Sequence, residues 1–269
     1  RNFSRIHALD DMNEGLLLEY CDSHELTHVI PTRDGELVFW ASNQNLLAKN
    51  GVQVMVSSEN AIRECQDKLL FYHAMKKSPA PAIPTSEELN ELPGERFVVK
   101  ERTGSASQSI GINLSAKEAI LHAEKLEHPV FQPMISGSEF SAETWIDSTG
   151  TCHGMVLRWR TKVIDGEAHE SEIFENEGWE KRMQETFGQI NGLSGHALAQ
   201  VLVDSEQKLH LIEINPRLGG ASPLALAAGL SSNEWFLLQS ENRDEEIPKL
   251  PSINKTLKLK KDNGRVQIF

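Results

Sequence analysis

The chain has 269 residues, enough for one large or two modest domains, and its 39% hydrophobic and 25% charged content is that of an ordinary globular protein. A net charge of −12 argues against a general binder of nucleic acid or of anionic membrane surfaces. Cys21, Cys65 and Cys152 are too few and too scattered for a disulfide framework or a zinc ligand set. With no membrane-length apolar run and no leader pattern, a reducing cytoplasm is expected, and a first residue of Arg1 suggests missing earlier residues.

In chain order, Thr27-His28-Val29-Ile30-Pro31 and Val52-Gln53-Val54-Met55-Val56 read as short strands, with a helix from Leu37 to Lys49 between them. Strand, helix, strand at this spacing predicts a βαβ unit within an open parallel sheet. Ser57-Ser58 offers an N-cap for one helix reaching about Lys77, with Ile62, Cys65, Leu69 and Tyr72 as its apolar stripe. Pro79, Pro81 and Pro84 read as a linker.

Beyond it, Thr85 with Glu88 and Ser115 with Glu118 are capping-box signatures for two helices. Phe97-Val98-Val99-Lys100 is a strand, Glu101 to Ser109 a polar loop, and Ile110 to Leu114 the returning strand. Val130-Phe131 begins another short strand, and strands at about 138–146 and 153–163 flank the turn Asp147-Ser148-Thr149-Gly150. Trp179, Met183, Phe187 and Ile190 mark a helix closed by Gly192. A hairpin of Leu198–Val203 and Lys208–Asn215 precedes a helix capped by Ser222 with Pro223 at its first position, and Asn263-Gly264 suggests a terminal hairpin.

The most informative segment is Leu209-His210-Leu211-Ile212-Glu213-Ile214-Asn215-Pro216-Arg217-Leu218-Gly219-Gly220. Strand alternation puts Leu209, Leu211, Glu213 and Asn215 on one face and His210, Ile212 and Ile214 on the other. A carboxylate and an amide then point the same way, with Arg217 close behind and glycines that permit near approach. An even-length turn would set Gln200 diagonal to Glu213, so that three oxygen donors converge. Hard oxygen ligands beside a guanidinium suit a magnesium-bound polyphosphate.

Three further segments could serve the same ligand. Lys100 ends an apolar strand before Arg102-Thr103-Gly104-Ser105-Ala106-Ser107-Gln108-Ser109, a loop whose N–H groups could wrap phosphate oxygens. Phe131-Gln132-Pro133-Met134 could present backbone groups to an adenine, with Met134 as N–H donor and Gln132 as carbonyl because Pro133 lacks an N–H. Arg158, Arg160 and Lys162 alternate along a strand opposite Glu139 and Glu143, and either pair with those acids or bind an anionic substrate group. His24-Glu25-Leu26-Thr27-His28 matches the HExxH zinc pattern by letter, but the strand reading of His28 breaks the one-helix geometry that zinc binding needs.

In this order the pieces resemble the ATP-grasp superfamily, especially the carbamoyl-phosphate-synthase-like carboxylate–amine ligases, over about Val29 to Leu230. The resemblance implies an α/β fold: a Rossmann-like pre-ATP-grasp domain at 1–78, then a two-lobed ATP-grasp domain with antiparallel sheets at 79–269, its small lobe about 85–131 and its large lobe about 132–269. It implies ATP and two Mg2+ ions, with Mn2+ as an alternative metal. Gln66-Asp67-Lys68 is similar to the family's NDK-like element, placing Lys68 on the nucleotide. Lys100, Ser105 and Ser107 would hold phosphates, Gln132 and Met134 adenine, and Glu139 the ribose. Gln200, Glu213 and Asn215 would be the metal ligands, with Glu213 bridging, and Arg217 would steady the γ-phosphate. Few glycines in the flap, and Leu198 where relatives often carry Asn, are departures from the pattern.

The implied activity is an ATP-dependent ligase that activates a small-molecule carboxylate as an acyl phosphate and joins it to an amine. The alternatives are an enzyme forming an acyl or carbamoyl phosphate alone, and a catalytically silent ATP-binding regulatory module. No nucleic-acid or membrane partner is expected, and a homodimer is left open.

Overall fold

The computed structural model describes residues 12–104, 109–248, 250, 257–262 and 265–269. The N-terminal unit starts with α1 (Glu14–Ser23), β1 (His28–Val29), α2 (Leu37–Lys49) and β2 (Gln53–Val54). β1 and β2 pair in parallel, His28 against Gln53, with α2 as the crossover, so the expected βαβ connection is present. Among the described residues this sheet has two strands, not the broad open sheet of a full Rossmann-like domain. Leu17, Leu37, Leu47, Val54 and Ile62 form its core.

The single helix expected from Ser58 to Lys77 is two: α3 (Glu59–Gln66) and α4 (Lys68–Met75). Asp67 between them is extended (φ −90°, ψ 107°), and its Oδ1 accepts from the N–H groups of Leu69 and Leu70, so one residue ends the first helix and caps the second. The proline segment is no free linker. The Ile83 N–H donates to the Leu211 carbonyl at 3.0 Å and the Leu211 N–H to the Pro81 carbonyl at 2.9 Å, covering an edge that would otherwise be open.

A three-stranded antiparallel sheet follows, built from β3 (Arg96–Glu101), β4 (Gly111–Ser115) and β5 (Pro129–Pro133) with β3 central. Phe97, Val99 and Phe131 pack under α5 (Ala116–Ala123), whose capping box of Ser115 and Glu118 is formed as expected. The corresponding Thr85–Glu88 helix is absent. Thr85 instead donates its hydroxyl to the Ile83 carbonyl and accepts from Gln132 Nε2 at 2.8 Å.

The larger sheet has seven strands: β6 (Ser138–Ile146), β7 (Cys152–Ile164), β8 (Glu167–Phe174), β9 (Gly195–Val203), β10 (Leu209–Asn215), β11 (Lys258–Asp262) and β12 (Arg265–Ile268), in the order β10-β9-β6-β7-β8-β11-β12. α6 (Glu177–Phe187) lies between β8 and β9 in sequence. One face packs Phe140, Leu157, Val201, Leu211 and Ile214 against Phe71 and Met75 of α4 and Met183 and Phe187 of α6. At one end of the other face, Trp145 and Val156 meet α7 (Ser222–Ala227) and α8 (Ser232–Ser240) through Leu224 and Trp235. Ser222 is the first residue of α7 and not its cap; its hydroxyl accepts from the Gly219 N–H at 2.7 Å. β11 and β12 pair antiparallel as the terminal hairpin requires, although Asn263 and Gly264 lie outside the described residues. No helix among the described residues is long and apolar enough to cross a membrane.

Candidate functional site

The β9–β10 hairpin corrects the expected strand faces. Leu211 pairs with Val201, but Glu213 pairs with Gln200, so β10 carries an extra residue at Ile212. A one-residue slip exchanges the faces of everything beyond it. Leu209, Leu211 and Ile214 therefore all enter the core, while Glu213 and Asn215 join Gln200 on the opposite face. Gln200 is thus directly opposite Glu213, not diagonal to it. The convergence itself holds: Glu213 Oε1 accepts from Gln200 Nε2 at 2.8 Å and from Asn215 Nδ2 at 2.7 Å.

Around Glu213, five elements bring ionisable groups into electrostatic range: Cys65 of α3, Lys68 of α4, Lys100 of β3, Glu139 of β6 and Arg160 of β7. Burial pulls the Lys100 ammonium down to about 8, and the positive Lys68 adds to that, while Glu213 opposes it. Burial likewise lowers Lys68. Two desolvated ammonium groups beside one carboxylate are poised for a polyanion.

Lys68 is the first residue of α4, and its Nζ donates to the Gly104 carbonyl at 3.1 Å, at the mouth of the flap. Arg102 anchors that flap to Asp67 by an ion pair of 2.8 Å. Ser105 and Ser107 lie outside the described residues.

Arg217 reaches from the end of β10 to the N-terminal unit. Its Nε donates to Asp34 Oδ1 at 2.6 Å, its Nη2 to Asp34 Oδ2, and its Nη1 to the Leu218 carbonyl at 3.0 Å. The Asp34 carbonyl is in turn held by Gln66 Nε2 at 2.7 Å. Leu198 packs directly on Gly219, beyond Arg217: a Cβ there would lie 2.6 Å from Leu198 Cδ2.

At the hinge the expected backbone groups are already bonded to β3. The Met134 N–H donates to the Arg96 carbonyl at 2.8 Å, and the register sets Gln132 against Val98, so even-numbered residues of β5 bond to β3. Phe131 turns both its backbone groups the other way, exchanging bonds with Ser86. By that alternation Pro133 also directs its carbonyl away from β3. Gln132 itself is buried, its side chain on Thr85.

The expected anion-binding row on β7 is largely paired. Arg158 is 1% exposed, and its Nε donates to Glu143 Oε1 at 2.5 Å and its Nη1 to Ser171 Oγ at 3.2 Å. Burial pushes Glu143 up, but the Arg158 charge and hydrogen bonds from His196 and Ser222 outweigh it and hold the carboxyl at about 2. Burial therefore closes Arg158 to a substrate. Arg160 pairs with Glu139 at 2.8 Å and donates to the Gly166 carbonyl, while Lys162 is exposed beyond a bulge and makes no ion pair among the described residues. Burial also raises Glu139, the expected ribose ligand.

The zinc pattern dissolves as expected. α1 ends at Ser23, Glu25 has a positive φ of 50°, and His28 is in β1 with its Nε2 on Ser240. The contact of Asp34 with Arg217 was not expected from the sequence. Its signal was an acid just beyond the carboxyl end of a parallel strand, where open α/β sheets place ligand groups.

A carboxylate with two amide side chains on it, flanked by two lysines and an arginine, fits a magnesium-bound polyphosphate. Gln200, Glu213 and Asn215 would hold the metal, since each amide can turn its oxygen inward where its nitrogen now faces Glu213.

Residues 65–221, more than half of the chain, match the ATP-grasp domain family, and the chain belongs to that family. Among solved structures it is similar to biotin carboxylase from Campylobacter jejuni (18% identity, 92% of this chain and 61% of that one, TM-score 0.72). It is also similar to an L-amino acid ligase from Bacillus licheniformis (16% identity, 94% and 66%, TM-score 0.70). A third similar structure is N5-carboxyaminoimidazole synthetase from Staphylococcus aureus bound to ADP (15% identity, 92% and 68%, TM-score 0.69). At these identities the likeness is one of fold. The chain spans about three fifths of the length of the biotin carboxylase it matches. A search of curated proteins found no match.

Proposed function

We propose that the chain is an ATP- and magnesium-dependent ligase that activates a substrate carboxylate as an acyl phosphate and joins it to an amine. The observation that carries this reading is the convergence of Gln200, Asn215, Lys68 and Lys100 on Glu213, with Arg217 at the end of the same strand. Residues 79–269 form the clamp in this reading, its small lobe about 85–131 and its large lobe about 132–269, with 1–78 preceding it.

Two magnesium ions, or manganese, would supply charge neutralisation at the β- and γ-phosphates. Lys68 and Lys100 bind the phosphate oxygens as point charges. Ser105 and Ser107 are assigned to the phosphates by the family resemblance alone, and Glu139 takes the ribose hydroxyls. The adenine contacts shift by one residue from the sequence expectation, to the Pro133 carbonyl and the Ile135 N–H, the groups that strand alternation turns to the edge beyond β3. Arg217 steadies the γ-phosphate. A substrate carboxylate oxygen attacks the γ-phosphorus in line as the bond to the bridging oxygen breaks, giving an acyl phosphate and ADP. The amine nitrogen then attacks the acyl carbon, loses its proton and expels phosphate. No protein nucleophile takes part, so positioning and charge stabilisation supply the rate. The extra residue at Thr161 pairs Lys162 with Glu170 and turns it to the sheet face opposite Arg160, so no anionic substrate group is assigned to it.

The test is magnesium-dependent ADP release across a panel of carboxylates, bicarbonate and amines. Release that needs both a carboxylate and an amine is expected. Release without an amine would replace this reading by an acyl- or carbamoyl-phosphate former. ATP binding with no stimulated release would replace it by a silent regulatory module.

A further inference from the structure

Asp34 belongs to the N-terminal unit, in the turn just before α2, yet its carboxylate is spent on a residue of the large sheet. Both of its oxygens accept from Arg217, one from Nε and one from Nη2. The two side chains are each 17% exposed, so the pair is shielded from solvent without being sealed from a ligand. A guanidinium has five N–H groups, one on Nε and two on each Nη. Asp34 takes two and the Leu218 carbonyl takes one, so Nη1 and Nη2 each retain one N–H.

The grip on Arg217 is itself braced. Gln66 donates to the Asp34 backbone carbonyl at 2.7 Å, and Gln66 is the last residue of α3, one residue before the Asp67 that holds Arg102 and two before Lys68. Asp34 also lies in electrostatic range of Lys68 and raises it, so it belongs to the charge field of the site. A flexible arginine with solvent on all sides loses rotamer entropy whenever it takes a ligand, whereas a clamped planar fork has already lost it.

We infer that Asp34 is the positioning residue for Arg217: the N-terminal unit clamps the side edge of the guanidinium so that its two remaining Nη hydrogens face the terminal phosphoryl group. Asp34 touches no phosphate; it acts through Arg217. The inference rests on the reading of Arg217 as a γ-phosphate contact and assigns that contact a partner from outside the clamp.

Calorimetry with the magnesium complexes of ADP and of a non-hydrolysable ATP analogue tests it, because the ratio of their affinities isolates the γ-phosphate. Asp34→Asn removes the charge and one acceptor at constant size. It is expected to lower that ratio about fivefold or more, to the level of Arg217→Lys, with ADP affinity within twofold of wild type. Asp34→Glu, which keeps the charge and both oxygens, should recover most of the ratio. The double variant Asp34→Asn, Arg217→Lys should lose no more than Arg217→Lys alone, since Asp34 has nothing left to orient. Equal loss of both nucleotides, including through misfolding, would make Asp34 merely structural and overturn the inference. So would a full ratio in Asp34→Asn beside a reduced one in Arg217→Lys. A full ratio in Arg217→Lys would instead remove the γ-phosphate role of Arg217, and Asp34 would fall with it.

Discussion

The β9–β10 and β6–β7 strand pairs bring charged side chains to the same face of one sheet and use them in opposite ways. On β9–β10, Glu213 is half-buried and meets only neutral amides on its own strands, its countercharges arriving from α4 and β3 in another layer and from Arg160 on the more distant β7. On β6–β7, Glu143 meets Arg158 on the adjacent strand, both essentially inaccessible, and His196 completes the set at 3.0 Å. A charge satisfied within its own sheet supports the fold, and a charge whose partners come from another layer marks the cleft. Arg160 with Glu139 stands between the two, paired but nearer the opening.

The largest expected effect is on the cleft side. Glu213→Ala removes the acceptor of both amides and the only carboxylate among the proposed metal ligands, so magnesium-dependent ADP release should fall to background. A lower urea midpoint should accompany that loss, because the desolvated Lys68 and Lys100 lose the carboxylate that offsets their burial. Arg217→Ala should follow with a kcat lower by about 10²–10³, the usual loss for one charge-stabilising donor. Turnover at the wild-type rate in that variant would remove Arg217 from the chemistry.

The paired side should behave in reverse. Glu143→Gln leaves Arg158 buried without its counter-ion, which typically costs about 3–5 kcal/mol. Urea unfolding should register that loss, while the native fraction binds MgADP with unchanged affinity. Weakened nucleotide binding at undiminished stability would break the contrast and return Arg158 to the candidate ligands.

What could be read from the sequence follows the same division between local and distant causes. The bounds of α2, the Ser115–Glu118 capping box and the β9–β10 hairpin depend on neighbours in sequence and were legible. The bulge at Ile212 was not, because the register of β10 is set by its two neighbours: β9 on one side and residues 81–83 on the other. Strict alternation nonetheless groups Gln200, Glu213 and Asn215 on one face, as the structure does, since the slip moves both β10 residues together. Asp67 reads as one more polar residue within a helix until Arg102, distant in sequence, is seen to hold its carboxylate. β8 escaped notice because Glu167, His169, Glu170 and Glu172 leave it no continuous apolar face. That the Met134 N–H is taken by the Arg96 carbonyl could not be read either, since which backbone groups of β5 face β3 depends on a register set by β3 and by the Ser86 bridge to Phe131, both distant in sequence.

The smallest expected effect is the most specific to a cleft charge. Lys100 titrates near 8 in the folded chain against an ordinary 10.5. A bound polyphosphate favours the ammonium and raises that value again, so a proton is taken up with the nucleotide whenever the free site has lost it. MgADP affinity should accordingly hold steady below pH 7 and fall by about tenfold from pH 7 to pH 9, since one titrating group changes an equilibrium by at most tenfold per pH unit. Lys100→Met should bind more weakly at pH 7 and lose most of that dependence. Folding stability must move the opposite way over part of the range. Between 8 and 10.5 the unfolded chain binds a proton at Lys100 that the folded chain does not, so the Lys100 contribution to stability rises with pH while affinity falls. A loss of affinity through general unfolding at high pH would carry both in the same direction, so opposite slopes in wild type that flatten together in Lys100→Met identify Lys100 as a charge held for the ligand.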